Sequence, residues 1–243
     1  MEIRLQGIVV IVGNYGSGKT EVAINLALAC RQAGEPVRVV DLDIVNPYFR
    51  TREARKLMRA RQVDLVLPPA QYLHADLPIV SPEVAGAIRR EGALTILDVG
   101  GNDAGATVLA SLADALRGRK VEMLQVINPH RPQTDSVEGC LAMREAIEAA
   151  SHLEVTGWVG NAHLMEATSP ETIRSGYTFA LQVSRASGLP LAFVTAPQKL
   201  RKALAAESIN CPVLSIRRYL TPPWQVPEAS AEKASGPPGG ATD

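Results

Sequence analysis

The sequence contains few of the residues that mark a secreted or metal-clustered protein. Its 243 residues include only three cysteines, Cys30, Cys140 and Cys211, and none lies close to another in the chain. This spacing argues against a disulfide framework or a zinc knuckle and predicts a reduced, cytoplasmic setting. The four histidines show neither the HxH nor the HxxxH spacing of a metal site.

An excess of charge of one sign is missing as well. Lysine plus arginine equals aspartate plus glutamate, at 25 residues each. Because the whole chain therefore has no general attraction to nucleic acid or anionic lipid, we expect neither as a partner. No apolar run approaches the roughly 20 residues that span a bilayer. The early run IVVIV leads into a glycine-rich loop, which a signal peptide does not do.

Short runs rich in valine, isoleucine and leucine alternate with longer helical patterns. The expected strands are 8–12, 36–41, 63–67, 94–98, 121–127, 155–160, 191–195 and 211–216. The clearest helices are 19–34, with Gly34 as its expected C-cap, and 134–150 and 169–188, which begin with Ser, Thr or Asp positions suited to capping. Such alternation predicts an α/β fold with a mostly parallel sheet of about seven or eight strands and helices on both faces.

This pattern covers residues 1–222, which we expect to form one domain. Residues 223–243 are small, polar and rich in proline and glycine. They cannot bury enough apolar surface to offset the entropy lost on ordering, so we predict a disordered tail.

The stretch GNYGSGKT, residues 13–20, matches G-x-x-x-x-G-K-[ST] between a predicted strand and a predicted helix. This is the pattern of a phosphate-binding P-loop. Its glycines let backbone N–H groups point at phosphate oxygens, and the following helix adds the positive end of its dipole. Lys19 would contact the β- and γ-phosphates, and the Thr20 hydroxyl would bind Mg²⁺. The predicted nucleotide-binding residues are Gly13, Asn14, Tyr15, Gly16, Ser17, Gly18, Lys19 and Thr20.

Acidic residues end two other predicted strands. Asp98 ends LTILD, and Asp41 and Asp43 end VVDLD. Ligands of open α/β sheets bind at the carboxyl ends of the strands. We predict that Asp98 holds Mg²⁺, and that one of Asp41 and Asp43 supports the metal while the other orients a water for attack on phosphorus. The alternative is that these residues only cap their strands.

In this order, GNYGSGKT, DLD and LDVGG resemble the MinD/ParA/CobQ-CobB group of P-loop ATPases over roughly residues 7–216. The resemblance implies that Asp43 positions the hydrolytic water and acts with Lys19 in catalysis. It implies that Asp98 serves Mg²⁺, which leaves Asp41 as the second residue near the metal. It also implies that Asn161 contacts the adenine edge, with Ala196-Pro197 beside the base, and that the protein forms a homodimer.

ATP is expected because the segment around Asn161 reads GNAHL and contains no NKxD-type guanine motif. The chain departs from the group at Asn14, where relatives carry a signature lysine that reaches the partner's nucleotide. Asparagine brings no charge, so either hydrolysis is slow or another cation, Arg50 or Arg131, replaces the lysine.

Other departures concern the molecule on which the protein acts. The chain has neither a basic amphipathic C-terminal helix for membranes nor a CxxC for an iron–sulfur cluster. The basic run 50–61 places Arg52, Arg55, Lys56 and Arg59 at helical spacing, which is most simply a solvated helix face. The alternative is a docking surface for nucleic acid or an acidic partner. Segment 74–90, with Ser81 as an expected helix cap before Pro82, carries no recognisable chemistry.

Three functions follow from these patterns. The first is a Mg-ATP-dependent, ATP-hydrolysing switch that acts on an unknown protein or small-molecule client. The second is a small-molecule kinase or a ligase similar to dethiobiotin synthetase, in which Asp43 would lie beside the substrate. The third is a regulator that binds nucleotide without turning it over. Phosphate release without an added acceptor distinguishes the first from the other two.

Overall fold

The computed structural model describes residues 2–43, 50–67, 82–90, 92–204 and 209–220, with residues 102–104 described by their backbone alone. Its centre is a parallel sheet of eight strands. The strands are β1 (Ile8–Gly13), β2 (Val37–Leu42), β3 (Asp64–Val66), β4 (Leu94–Val99), β5 (Val121–Ile127), β6 (Gly157–Gly160), β7 (Leu191–Pro197) and β8 (Val213–Ile216).

The strand order across the sheet is β3-β2-β4-β1-β5-β6-β7-β8, and every neighbouring pair is parallel. The chain builds outward from β1 in both directions, with β4 inserted between β1 and β2. The end of β1 therefore lies where the strand order reverses, which is where open α/β sheets bind ligands. The predicted α/β fold and the predicted number of strands are both confirmed.

Helices cover the sheet on both faces, as predicted. They are α1 (Lys19–Gln32), α2 (Arg55–Ala60), α3 (Pro82–Arg89), α4 (Asn102–Ser111), α5 (Ala113–Leu116), α6 (Val137–Ser151), α7 (Pro170–Ser187) and α8 (Arg201–Leu204). Short 3₁₀ turns occupy Thr51–Ala54, Met165–Ala167 and Gln198–Leu200.

The core consists of two apolar layers, because alternate side chains of a strand point to opposite faces of the sheet. On β1, Val9 and Ile11 pack on the side that α1 covers. Val10 and Val12 pack on the side of α3, α4, α5 and α6. Burying each such side chain contributes about 1.5–3 kcal/mol. This packing holds the central strands in place and so fixes where their carboxyl ends lie.

Three helix ends show the predicted capping chemistry, with one shift. The Ser136 and Ser169 hydroxyls accept hydrogen bonds from the backbone N–H groups of Gly139 and Thr172, 3.1 and 3.2 Å away, and so begin α6 and α7. Helix α1 ends in a cap at Ala33, one residue before the predicted cap. Gly34 follows in the left-handed region at φ 96°.

Several predictions fall on residues that the structure does not describe. The tail 223–243, the cap Ser81 and the part of segment 74–90 before Pro82 lie outside the described residues. Among the described residues, no helix combines the length and apolar character needed to cross a bilayer.

Candidate functional site

The loop between β1 and α1 depends on glycine for its shape. Gly13, Gly16 and Gly18 have φ values of 141°, 71° and 91°, a region that other residues rarely adopt. A Cβ atom on Gly13 would lie 2.4 Å from the carbonyl oxygen of Val126, and one on Gly18 would lie 2.3 Å from the Asn161 amide nitrogen. These positions therefore require glycine both for conformation and for close approach.

Lys19 is buried at the start of α1 beside the equally buried Thr20. Its Nζ donates to the carbonyl oxygen of Asn14, 3.0 Å away, so the ammonium group is held inside the curl of the loop. Burial lowers the pKa of Lys19, while the charges of Asp98 and Asp43 act in the opposite direction. The loop thus holds a partly desolvated cation, which suits an anionic ligand such as phosphate.

The end of β4 approaches this loop closely. A Cβ atom on Gly101 would lie 3.0 Å from the backbone nitrogen of Tyr15 and 3.3 Å from Lys19 Nζ. Only a residue without a side chain fits comfortably there. The segment after Asp98 therefore lies against the phosphate loop.

Asp41 and Asp98 occupy partnered positions on the adjacent strands β2 and β4, and both are fully buried. Asp41 is engaged by Arg52, whose Nε and backbone N–H donate to Oδ2 at 2.8 and 3.1 Å. The backbone N–H of Asp43 donates to Oδ1 at 3.1 Å. Mg²⁺ binding by Asp41 would have to compete with this ion pair, so that role stays a prediction. The prediction for Arg52 was wrong, because it turns inward to Asp41 and leaves the solvated face to Arg55 and its neighbours.

Asp98 is paired on one oxygen only. Its Oδ2 accepts a hydrogen bond from Thr51 Oγ1 at 2.6 Å, and within the described part of the chain its buried Oδ1 has no partner. Burial, with the nearby charges of Asp41 and Asp43, raises the pKa of Asp98 to about 7 against the lowering effects of Thr51 and Lys19. A buried oxygen without a partner is uncommon in folded proteins and marks a place for a ligand.

These side chains fit the Mg²⁺ ion that the P-loop pattern implies. Asp98 offers a buried oxygen and Thr20 a hydroxyl, and Mg²⁺ prefers oxygen ligands. Across the described ranges, no three His, Cys, Asp or Glu side chains converge as a metal-binding group. Phosphate oxygens and water would therefore supply the remaining ligands, as is usual for Mg²⁺ beside nucleotides.

Asp43, the predicted catalytic residue, is buried and lines the same cavity as Lys19 and Gly101. Its backbone carbonyl accepts from Arg52 at 3.2 Å. Burial and the charge of Arg52 lower the pKa of Arg50. The charge of Asp43 acts in the opposite direction, which places Arg50 near Asp43.

Asn14 points away from solvent. Its Nδ2 donates to the carbonyl oxygen of Pro132 at 2.7 Å, and its Oδ1 accepts from the Tyr15 N–H at 2.7 Å. Arg131 donates from Nε to the Gly16 carbonyl at 2.9 Å. The loop 128–134 is therefore joined to the phosphate loop by two hydrogen bonds. The Asn14 side chain makes one of them and so stays within its own chain.

Asn161 supports the phosphate loop from β6. Its Nδ2 donates to the Ser17 carbonyl at 2.6 Å, and its Oδ1 accepts from the hydroxyl of Thr195. Both ends of the amide are thus engaged within the protein. The predicted contact of Asn161 with a base, and that of Ala196-Pro197 at the end of β7, stay predictions.

A cavity of about 240 Å³ opens beside the loop. Its phosphate-loop side is lined by Tyr15, Gly16, Gly18, Lys19 and Thr20 together with Asp43, Gly101 and Arg131. The lining also includes Asn161 and residues that the motifs did not predict, among them His163, Met165, Ile216, Arg218 and Leu220. Sequence reasoning also missed Thr51, which lies within the run that we predicted as a basic helix.

No protein-family model and no curated protein matches the chain. Solved structures do share its fold. The Signal Recognition Particle 54 kDa protein from Aeropyrum pernix, in complex with GDP, is 18% identical with a TM-score of 0.54, covering 80% of this chain and 42% of that one. The cell division protein FtsY from Thermotoga maritima is 19% identical with a TM-score of 0.56, covering 79% and 62%.

Chloroplast FtsY from Physcomitrella patens is similar to the same extent, with 18% identity, a TM-score of 0.54 and coverage of 79% of this chain and 60% of that one. The chain thus spans less than two thirds of the length of these proteins. At such identities the likeness shows the P-loop NTPase fold, and it does not favour the MinD/ParA group in particular.

Proposed function

We propose that the protein binds Mg-ATP at residues 13–20 and hydrolyses it, acting as a nucleotide-dependent switch. One observation carries this proposal. The buried Asp98 oxygen that has no partner among the described residues lies at the same sheet edge as the buried ammonium of Lys19 and the carboxylate of Asp43. The protein leaves a cation, a metal-ligand oxygen and a second acid close together there, which is what phosphoryl transfer requires.

Each residue has a distinct role in this proposal. Lys19 binds the β- and γ-phosphates, and Thr20 and Asp98 hold Mg²⁺, which neutralises charge on the phosphate oxygens. Asp43 orients a water whose oxygen bonds to the γ-phosphorus as the bond to the β–γ bridging oxygen breaks. The products are ADP and inorganic phosphate: one hydrogen of the water stays on the oxygen now bonded to phosphorus, and its other proton passes to a phosphate oxygen.

The charge that the signature lysine supplies in relatives would come from Arg131. Asn14 has no charge, and its amide is committed to Pro132. Arg131 contacts the phosphate loop of its own chain, because its Nε donates to the Gly16 carbonyl, and it lines the cavity. Arg50 is the weaker candidate because it is not among the described residues that line the cavity.

We propose adenine over guanine as the base, and infer this from the acidic side chains that line the cavity. Guanine presents two N–H donors on one edge, and a carboxylate is the usual acceptor for such a pair. Of the described residues that line the cavity, only Glu21 and Asp43 are acidic. Asp43 lies on the phosphate side, and Glu21 accepts from the backbone N–H groups of Tyr219 and Leu220. The sequence also contains no NKxD-type guanine motif, which agrees with adenine as the base.

Titration calorimetry with Mg-ATP and Mg-GTP tests this proposal. Wild-type protein should bind ATP more tightly than GTP, and Lys19→Ala should bind at least about tenfold more weakly, because a charge-assisted contact is lost. Arg117→Ala removes an exposed arginine that pairs with Asp114 and provides a control that should bind as wild type does. Equal binding by wild type and Lys19→Ala would contradict the proposal.

A nucleotide sensor without turnover is the second candidate, and Asn14 favours it. Because the Asn14 side chain is held against Pro132, no charge from this position reaches a nucleotide in a second copy. If Arg131 does not supply the missing charge, the protein binds ATP but does not hydrolyse it. Tight ATP binding without phosphate release would select this function, and release that depends on an added acceptor would select a kinase or ligase.

A further inference from the structure

The chain continues beyond β8 as residues 217–220, which we call the strap, and α1 holds it by four hydrogen bonds. Asn25 Nδ2 donates to the Arg217 carbonyl, and the Arg217 N–H donates to Asn25 Oδ1, each at 2.9 Å. Glu21 Oε1 accepts from the N–H groups of Tyr219 and Leu220 at 2.9 and 2.7 Å. Bonds from N–H groups to a carboxylate are stronger than neutral ones.

The position of Glu21 ties the strap to the phosphate loop. Glu21 is the third residue of α1 and directly follows Lys19 and Thr20. A helix is rigid over so short a distance, so the strap and the phosphate-binding lysine keep a fixed spacing. Asn25, one turn further along, faces the same side as Glu21 because residues four apart are neighbours on a helix surface.

Alternate residues of the strap line two different cavities. Arg218 and Leu220 line the cavity beside the phosphate loop, as does Ile216 at the end of β8. Arg217 and Tyr219 line a separate cavity of about 880 Å³. This alternation shows that the strap forms a wall between the two spaces, with the side chain of Arg218 on the phosphate-loop side.

Arg218 is suited to contact a flat aromatic ligand. Its side chain is 17% exposed, and its Nη2 lies 3.1 Å from Glu166 Oε1. Its Nε is buried and has no partner within the described residues. The neighbouring lining residues Met165 and Leu220 are apolar. A planar guanidinium held by a carboxylate in apolar surroundings packs well against an aromatic face.

We propose that the strap is the nucleoside wall of the site. In this arrangement the Arg218 guanidinium packs against the base of a nucleotide whose phosphates occupy residues 13–20. Glu21 and Asn25 act as positioning residues, because their hydrogen bonds hold the strap. This inference rests on the proposed nucleotide binding and names the residues that recognise the nucleoside.

The test compares two ligands by titration calorimetry, Mg-ATP and Mg-tripolyphosphate, which has the phosphates without the nucleoside. Arg218→Ala should weaken ATP binding about tenfold, which is the loss expected for one cation–π contact. The same variant should bind tripolyphosphate within about twofold of wild type, because the phosphate loop is untouched. Arg117→Ala, which removes an exposed arginine far from the strap, is the matched control and should change neither.

Glu21 provides a second, independent variant. Glu21→Ala releases two strap N–H groups and should weaken ATP binding in the same selective way, about threefold to tenfold. Glu21→Gln keeps an acceptor oxygen for both groups and should restore most of the affinity. A merely structural role of Glu21 would weaken both ligands together, so the difference between ATP and tripolyphosphate is the decisive readout.

The outcomes separate this inference from the proposed function. Wild-type protein that binds neither ligand would overturn the proposed function and, with it, this inference. Wild-type binding of both ligands, combined with an Arg218→Ala variant that loses neither or loses both equally, would overturn the strap proposal alone. If Glu21→Ala does not fold, the paired titrations of Arg218→Ala decide the question.

Discussion

The site has two sides that differ in how their buried polar groups are paired. On the acidic side, at the ends of β2 and β4, Asp98 keeps one buried oxygen without a partner in the described structure. On the amide side, which consists of Asn14 on the phosphate loop and Asn161 at the end of β6, both ends of each amide are hydrogen-bonded within the protein.

This difference indicates a division of labour. Fully paired buried networks fix geometry, whereas an unpaired buried group is costly until a ligand completes it. The amide side therefore sets the shape of the phosphate loop, and the acidic side leaves Asp98 Oδ1 available to a ligand. Within the acidic side the contrast recurs, because Asp41 is neutralised by Arg52 while its register partner Asp98 is not.

The largest expected effect on stability comes from unpairing Asp41. Arg52→Ala leaves a fully buried carboxylate without its cation and should lower the free energy of unfolding by about 3 kcal/mol. Chemical denaturation measures this loss. Arg55→Ala, in the same basic run but exposed, is the matched control and should change stability by no more than about 0.5 kcal/mol. Equal effects of the two variants would mean that the Asp41–Arg52 pair contributes nothing.

The opposite sign is expected at Asp98. Its pKa is raised from 3.8 to about 7, so between these values the unfolded chain releases a proton that the folded protein keeps. Wild-type stability without Mg²⁺ or nucleotide should therefore fall as pH rises through this range and stay low above it. Asp98→Asn removes the charge and with it this dependence of stability on pH. The free energy of unfolding of the variant should exceed that of wild type by a margin that grows to the order of 2 kcal/mol at pH 8.

Thermal melts at several pH values measure this difference, since each kcal/mol corresponds to about 2–4 °C in a chain of this size. An Asp98→Asn variant that is less stable than wild type at pH 8, or whose advantage does not depend on pH, would show that the carboxylate is well accommodated in the folded protein.

A smaller loss is expected on the amide side. Asn14→Ala removes the bonds to Pro132 and Tyr15 and should cost about 1–2 kcal/mol, because a buried side chain that makes two hydrogen bonds is lost. Asn14→Asp keeps the acceptor for the Tyr15 N–H but cannot donate to Pro132, so it separates the two bonds. If neither variant changes the denaturation midpoint, Asn14 does not tie the two loops together.

Much of the fold could be predicted from the sequence. Buried parallel strands are often continuous apolar runs, as several of the predicted strands are, and all eight strands of the sheet fall at predicted positions. The phosphate loop and the acids at the ends of β2 and β4 were also predicted to share one edge, because parallel strands bring their carboxyl ends together. The structure confirms that Lys19, Asp43 and Gly101 line one cavity.

The contacts that were missed join distant parts of the chain. Thr51 and Asp98 are 47 positions apart, and Asn25 and Arg217 are 192 apart. Local periodicity carries no information about such pairs. The inward turn of Arg52 was missed for the same reason, since helical spacing places a side chain on a face but does not reveal a buried carboxylate that attracts it.

The most direct test of the proposed function is phosphate release from Mg-ATP, measured over a range of protein concentrations. We expect release by wild type, loss in Lys19→Ala and a fall of at least about 100-fold in Asp43→Asn. A specific activity that stays constant on dilution would agree with Arg131 acting within its own chain. Wild type that releases no phosphate without an acceptor or partner, or release that Lys19→Ala leaves unchanged, would contradict unaided hydrolysis at this site.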